Sequence, residues 1–230
     1  RDGGTVVRAG HTEASVDISR AAGLNPSAVI CEIMNDDGTM ARLPELIAFA
    51  QFHNLKIGAI DELIAWRRVH ERLVEKVAEA PFETRAGSGF KVVVFRNKLD
   101  GVEHVALVKG AISADKATLV RVHRIDFAAD VMGGYGTRAG LIDRAVAEID
   151  AEGAGVVVLL RDLVPDVVSR RLSGEPLEFE EDDIRRVIGL GSQILRELGV
   201  GRMNVLGAPQ KIAGLDGYGL TIEGWREFMS

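Results

Sequence analysis

A single cysteine, Cys31, stands in a chain of 230 residues. One thiol forms no intrachain disulfide, so a disulfide-stapled secreted module is excluded and a reducing cytoplasm is the expected compartment. Aromatic residues are scarce at 5%, and Trp66 and Trp225 are too isolated to suggest a stacking platform. Positive charge is in deficit, with a net charge of −6, which argues against a general nucleic-acid binder. No apolar run approaches a membrane span, and no charged-then-apolar start looks like a signal peptide. Core-forming material is plentiful: 47% hydrophobic residues suffice for one large domain or two small ones.

The densest chemistry lies in Arg8-Ala9-Gly10-His11-Thr12-Glu13. Thr5-Val6-Val7 before it is β-prone, and Ala14, Ile18, Ala21 and Ala22 recur at helical spacing until Gly23 and Pro26 stop the run. The motif is therefore expected at a helix N-terminus. Unpaired backbone N–H groups and the dipole favour a phosphate there, Gly10 admits close backbone approach, and Thr12 can cap the helix or donate a hydroxyl. Arg8 adds a bidentate clamp, and His11 can ligate a metal or move a proton. A capped helix with a solvated arginine and a satisfied histidine fits the same residues.

Taken with Asp17, Ala22-Gly23-Leu24 and the run Cys31-Glu32-Ile33-Met34-Asn35-Asp36-Asp37-Gly38-Thr39-Met40-Ala41, this motif resembles the 3,4-dihydroxy-2-butanone 4-phosphate synthase family of riboflavin biosynthesis. The resemblance implies that Arg8, Ala9, Gly10, His11 and Thr12 hold a phosphorylated sugar, ribulose 5-phosphate. It implies that His11 is a ligand of Mg2+ or Mn2+ and that Glu32 is a substrate-facing catalytic residue. In that family the motif follows a long N-terminal portion whose acidic loop supplies a Glu to the metal. The opening Arg1-Asp2-Gly3-Gly4, with no initiator Met, is accordingly read as lying inside a longer domain, and residues 1–230 alone are expected to turn over no sugar.

Along the chain, residues 28–34 read as a buried strand, and Asn35-Asp36-Asp37-Gly38 as a turn that is either solvated or a substrate contact. Residues 43–52 read as a helix and 55–60 as another strand. A longer helix is expected over 61–79, capped by Asp61 and linking two domains at 1–80 and 81–230. Beyond Pro81, strands are expected at 90–95 and 102–109 around a turn at 98–101, then at 117–122, 155–160, 203–206 and 217–222. Helices are expected over 141–149 and 182–198. The fold class is α/β (α+β): a partial first domain with a mixed sheet, then a second α/β domain.

Glu103 through Gly110, Leu119 through His123, Gly189 through Val200 and Lys211 through Leu220 resemble GTP cyclohydrolase II. The two halves in this order look like a bifunctional riboflavin-pathway chain, with a homodimer as the implied assembly. The resemblance fails where that family does its chemistry. Its three zinc cysteines fall at Asp126, Thr137 and Ala139, and the one cysteine lies in the other half. Without zinc no activated water opens the purine ring, so no zinc cofactor is expected. The family's Glu-Gly-Arg falls at Leu163-Val164-Pro165, its Asn-rich turn at Gly207-Ala208 and the Thr before it at Leu206. Arg186 keeps one member of an Asp-x-Arg pair whose Asp position is Ile184, with Asp183 one residue off. Arg121 and Lys211 survive as cations of a kind common on any surface.

His53, His70 and His104 have no partner at ligand spacing, and His123 keeps a family position without its cysteine; each reads as a satisfied or solvent-facing histidine. Gly133-Gly134-Tyr135-Gly136 lacks a following Lys-Ser/Thr and reads as a loop where the family holds zinc, not as a P-loop. Two functions from different classes fit the sequence. One is the synthase, a lyase acting on ribulose 5-phosphate in the parent protein. The other is a non-catalytic scaffold or regulatory module; a working GTP cyclohydrolase II is a further alternative that the missing cysteines disfavour. No nucleic-acid or membrane partner is expected.

Overall fold

The computed structural model describes residues 3–133, 139–161, 166–174, 181–210, 212 and 214–228. The chain divides into two compact units, Arg1–Glu71 and Arg72–Ser230.

The first unit contains a 3-10 turn, Gly4–Val6, and three helices: α1 His11–Ala21, α2 Leu43–Phe52 and α3 Ile60–His70. Helix α2 starts with Pro44 in its first turn and with the Glu45 carboxylate accepting the Arg42 N–H at 2.9 Å, a combination that satisfies an orphan donor and pre-sets the backbone. The strands read at 28–34 and 55–60 do not form. Among the described residues the unit holds only an isolated bridge, Met34 to Met40, and Val29 is 98% exposed. Apolar β-prone residues supply a preference, but a strand exists only through a neighbour that takes a run of its N–H and C=O groups; here residues 33–34 meet 40–41 alone, where the Ile33 carbonyl accepts the Ala41 N–H at 3.0 Å. The mixed sheet therefore belongs to the second unit. The turn at 35–38 does form: Gly38 takes φ +86°, and the Asp37 carboxylate accepts both the N–H and the hydroxyl of Thr39, at 2.9 and 2.6 Å.

The helix read over 61–79 stops at His70, and Ala59 rather than Asp61 is its N-cap. Residues Val74–Phe82 form strand β1, so the break between units comes after Glu71 rather than after residue 80. The spacing of Val69, Leu73, Val74 and Val77 suits a helix. Pairing with β2, Phe90–Asn97, from Val74↔Asn97 to Phe82↔Phe90 decides otherwise. Pro81 is tolerated because β1 is an edge strand.

Five more strands follow: β3 Glu103–Lys109, β4 Ala117–Arg124, β5 Gly155–Leu160, β6 Arg202–Leu206 and β7 Thr221–Arg226. Helices α4 Leu141–Glu152, α5 Val167–Leu172 and α6 Glu181–Glu197 lie between them. The α/β class holds: one seven-stranded mixed sheet runs β1-β2-β3-β5-β4-β6-β7, antiparallel as far as β5 and parallel beyond it. The last strand starts at Thr221 rather than at 217, because Leu215–Tyr218 closes into a 3-10 turn.

The layering follows from handedness. From β4 the chain crosses to β5 on one side; from β5 it crosses back past β4 to β6. Right-handed crossovers in opposite directions must use opposite faces. Helix α4 accordingly buries Ala145, Val146 and Ile149 against Leu107, Leu119, Val157 and Leu206, while Gly191 of α6 faces Val122 and Leu160 on the other face. Covered on both sides, β5 is a near-continuous apolar run, Gly-Val-Val-Val-Leu-Leu. Truncating Ile149 or Leu206 to Ala is worth about 2–5 kcal/mol each.

One buried polar group in this core has a pH signature. His104 on β3 is fully buried, with Nδ1 accepting the Arg161 N–H at 3.2 Å, and burial pushes its pKa down to about 4. The unfolded chain takes up this proton near the ordinary histidine value, whereas the folded chain resists it, so the contribution is full above that value and is lost as pH falls toward 4. Urea midpoints should fall between pH 7 and 4.5, and His104→Asn should flatten that part of the slope. Parallel pH profiles in the two proteins would remove His104 as the cause.

Candidate functional sites in the two units

In the first unit the motif does begin a helix. His11 and Thr12 occupy the first two positions of α1, both exposed, and the N-cap is Gly10 with no side-chain cap. Thr12 is thus not the cap; its carbonyl accepts the Ser15 hydroxyl at 2.9 Å. Glycine at position 10 is explained by a near neighbour: a Cβ there would run into the Glu13 carboxylate. That carboxylate is buried and receives Arg8 Nη1 at 3.1 and 3.3 Å. Arg8 is exposed but turned onto Glu13 rather than outward as an open clamp. Glu32 is exposed on the extended segment before the 35–38 turn. A cavity of about 140 Å³ beside the motif is lined by Gly3, Gly4, Thr12, Glu13, Val16, Asp17 and Arg20. Of the predicted site residues its lining includes Thr12 alone.

What holds this region is a buried ion pair whose strength the sequence did not reveal. Asp17 Oδ2 accepts the Thr5 N–H at 2.7 Å, the Thr5 hydroxyl at 2.8 Å and Arg67 Nη1 at 2.8 Å. Arg67 also donates to the Gly3 carbonyl at 2.8 Å and makes a two-pronged contact with Glu71 at 2.6 and 2.7 Å. Burial opposes the Arg67 charge, but Glu71 and Asp17 outweigh it and hold the pKa above the ordinary arginine value. Gly4, at φ +61°, is required because a Cβ would collide with the Asp17 carboxylate. The pair ties the turn ahead of the motif to α1 and α3. Its only sequence signal was Asp17 as a member of the motif.

Fit to a divalent metal is limited. Mg2+ and Mn2+ take several oxygen ligands, and among the described residues no three His, Cys, Asp or Glu side chains converge. His11 offers one nitrogen, which alone does not make a site.

In the second unit the position at which the resemblance places the first zinc cysteine, Asp126, follows β4. Asp126 caps a single π-helical turn, Phe127–Val131, its Oδ1 accepting the N–H groups of Ala128 and Ala129 at 3.1 and 3.2 Å. Its own N–H donates to Asp130 Oδ2 at 2.7 Å, and that oxygen also meets His123 Nε2 at 2.7 Å. His123 and Asp130 are both buried, and the histidine is paired with Asp130 through Nε2. Ala139 lies in the turn leading to α4. Thr137, Lys211 and Leu163-Val164-Pro165 lie outside the described residues. Arg186 pairs with Asp100 at 2.8 Å, Ile184 is half exposed, and Arg121 donates to the Leu206 carbonyl at 2.8 Å.

The Asp17 pair makes a stability prediction. Asp17→Ala should destabilise the first unit by about 3–5 kcal/mol, because it removes the carboxylate that Thr5 and the buried Arg67 guanidinium share, and should leave the second unit's transition in place. Calorimetry or urea titration with a probe in each unit reads this. An unchanged first-unit transition would show that Asp17 does not hold it.

Comparison with known proteins agrees with the division into units. Residues 75–227 match the family described as GTP cyclohydrolase II, and residues 1–66 match 3,4-dihydroxy-2-butanone 4-phosphate synthase. The chain is 42% identical over 232 residues to a 3,4-dihydroxy-2-butanone 4-phosphate synthase of Pseudomonas aeruginosa, covering 96% of this chain and 61% of the relative. It is 46% identical over 237 residues to the Monofunctional riboflavin biosynthesis protein RIBA 2, chloroplastic, of Arabidopsis thaliana, covering 97% of this chain and 48% of the relative. A crystal structure of RibBX from A. baumannii, a two domain 3,4-dihydroxy-2-butanone 4-phosphate synthase, superposes with a TM-score of 0.69 at 35% identity, covering 98% of this chain and 62% of that one. The chain thus spans about half to three fifths of the length of these relatives. The chain belongs to the GTP cyclohydrolase II family, whose model matches residues 75–227, and its residues 1–66 match the 3,4-dihydroxy-2-butanone 4-phosphate synthase model.

Proposed function

We propose that the protein this chain represents is a 3,4-dihydroxy-2-butanone 4-phosphate synthase, converting ribulose 5-phosphate to the four-carbon phosphate and formate, and that its cyclohydrolase-like unit does not hydrolyse GTP. The observation that carries the first half is the motif at the start of α1. Gly10 caps the helix and presents His11 and Thr12 to solvent at its positive end, which suits a sugar phosphate. Arg8 would have to leave Glu13 to clamp that phosphate. Glu32 is assigned to moving the proton at the carbon beside the ketone, and His11 to one ligand of Mg2+ or Mn2+. Because the described residues do not complete a shell for that cation, no step is assigned to it. The Pseudomonas relative's name supports this reading, and a homodimer is the proposed assembly.

The second half rests on composition and geometry together. Three thiolates cannot be drawn from one cysteine in the other unit. The position of the first is spent on capping a turn that Asp130 and His123 hold from within. The scaffold reading is favoured by one observation, the closure of Arg8 onto Glu13, and the same assays decide between the two.

In the full-length protein, His11→Ala should lower kcat/KM for ribulose 5-phosphate by about two orders of magnitude or more, with weaker metal binding. Glu32→Gln should cost about 100- to 10,000-fold in kcat with metal binding unchanged. Wild-type turnover in either variant would remove that residue from the site.

The second unit should carry no stoichiometric zinc and release no formate from GTP. A chelator should leave its melting temperature unchanged, whereas Asp130→Ala, which strands the buried His123 and frees the Asp126 N–H, should lower it. One tightly bound zinc per chain by metal analysis would defeat this reading.

A further inference from the structure

We propose that the second unit carries a binding slot for a flat, uncharged heteroaromatic small molecule, between α6 and the carboxyl ends of β4 and β6. This rests on the reading that the unit does not hydrolyse GTP. The slot encloses about 510 Å³, within the range of about 300–1,000 Å³ usual for small-molecule sites. Its place is fixed by topology. The chain leaves β4 for one face and reaches β6 from the other, so a crevice opens where the two crossovers part, beyond the strands' carboxyl ends. Arg124 ends β4 and Gly207-Ala208 follow β6, and all three line the slot.

Its shape is a wedge. A Cβ on Gly191 would sit 3.1 Å from the Val122 Cγ1, so α6 touches the sheet there, while Ile184, two turns earlier on the same helix, is half exposed at the rim. A thin ligand enters such a gap more readily than a globular one. The walls are chemically plain: Val120, Val122, Met203 and Val205 form the floor and Trp225 offers an aromatic surface. Ser192 and Gln210 add polar groups at the margin, enough to orient a ring through its edge nitrogen or oxygen atoms. A nucleoside triphosphate is disfavoured. Among the described residues the cationic side chains along the lining are Arg121 and Arg124, and the Arg121 guanidinium is held by the Leu206 carbonyl at 2.8 Å and lies 5.5 Å from the Phe228 ring.

Trp225 and Trp66 are the chain's two tryptophans, so Trp66→Phe leaves a reporter inside the slot. Riboflavin, whose ring system is flat and uncharged, is the probe, with GTP as the comparison. Saturable quenching of Trp225 emission by riboflavin is expected at one site per chain, independent of protein concentration. Ile184→Arg and Ala208→Arg, both at exposed positions on opposite sides of the mouth, should weaken it by about tenfold or more with the circular dichroism unchanged. No saturable quenching, or equal affinity in both rim variants, overturns the slot. Competition by GTP at equal affinity without turnover overturns the ligand class. Formate release from GTP overturns the functional reading itself and is scored separately, by product.

Discussion

The constraint on which the second unit depends is the parallel pairing of β4 with β5, from Leu119↔Gly155 to Arg124↔Leu160. A parallel pair cannot be closed by a tight turn and needs a crossover, which here is α4. Once that helix occupies one face, the return crossover through α6 must take the other, and β5 becomes buried on both sides. Gly155 shows how tight the arrangement is, since a side chain there would strike the Leu119 carbonyl and the Ile149 side chain. The remaining strands extend outward from this pair, and the antiparallel β1-β2-β3 half needs only short turns such as the one at Gly101, φ +72°.

Buried charges in the two units sit beside partners that offset the loss of water. Asp17 meets Thr5 and Arg67, and Arg67 meets Gly3 and Glu71. His123 meets Asp130, which also takes the Asp126 N–H. Such clusters add geometric specificity more than net energy, because each charge gives up water to enter. In the first unit that specificity fixes the turn that leads into the motif. In the second it fixes the turn that follows β4.

Elements with two independent signals were legible from sequence. Helix α2 and strand β5 match their expected bounds, 43–52 and 155–160, because periodicity and flanking breakers agree there. The hairpin of β2 and β3 was readable from its Asp-Gly turn. Residues 74–82 were not, since Val74 and Val77 satisfy helical spacing as well as a strand does, and only β2 resolves the ambiguity. Residues 28–34 failed in the opposite way: the strand preference is real, but among the described residues only its end finds a neighbour, at the Met34–Met40 bridge. At the candidate site, the positions of His11 and Thr12 at the start of a helix were legible from Gly10 and the apolar spacing beyond it. The closure of Arg8 onto Glu13 was not, because a charge pair five residues apart across a helix start carries no periodic signature.

In the second unit the residues that carry the fold are separate from the turns that border the crevice. The residues that build its core, such as Leu119, Ile149, Val157 and Leu206, lie within strands and on α4. Among the positions where the resemblance places family ligands, Asp126 lies after β4 and Gly207-Ala208 after β6, in turns beyond strand ends. Substitutions at the second set leave the first intact, so chemistry can be lost at little cost in stability. A metal that also ordered a turn is the exception, since its removal would leave backbone N–H groups unpaired. Asp126 and Asp130 answer that cost directly by accepting the N–H groups of residues 126, 128 and 129. The turn after β4 is thereby held by carboxylates, and the crevice beside it is bounded by α6 and the sheet, whose packing is made of apolar side chains.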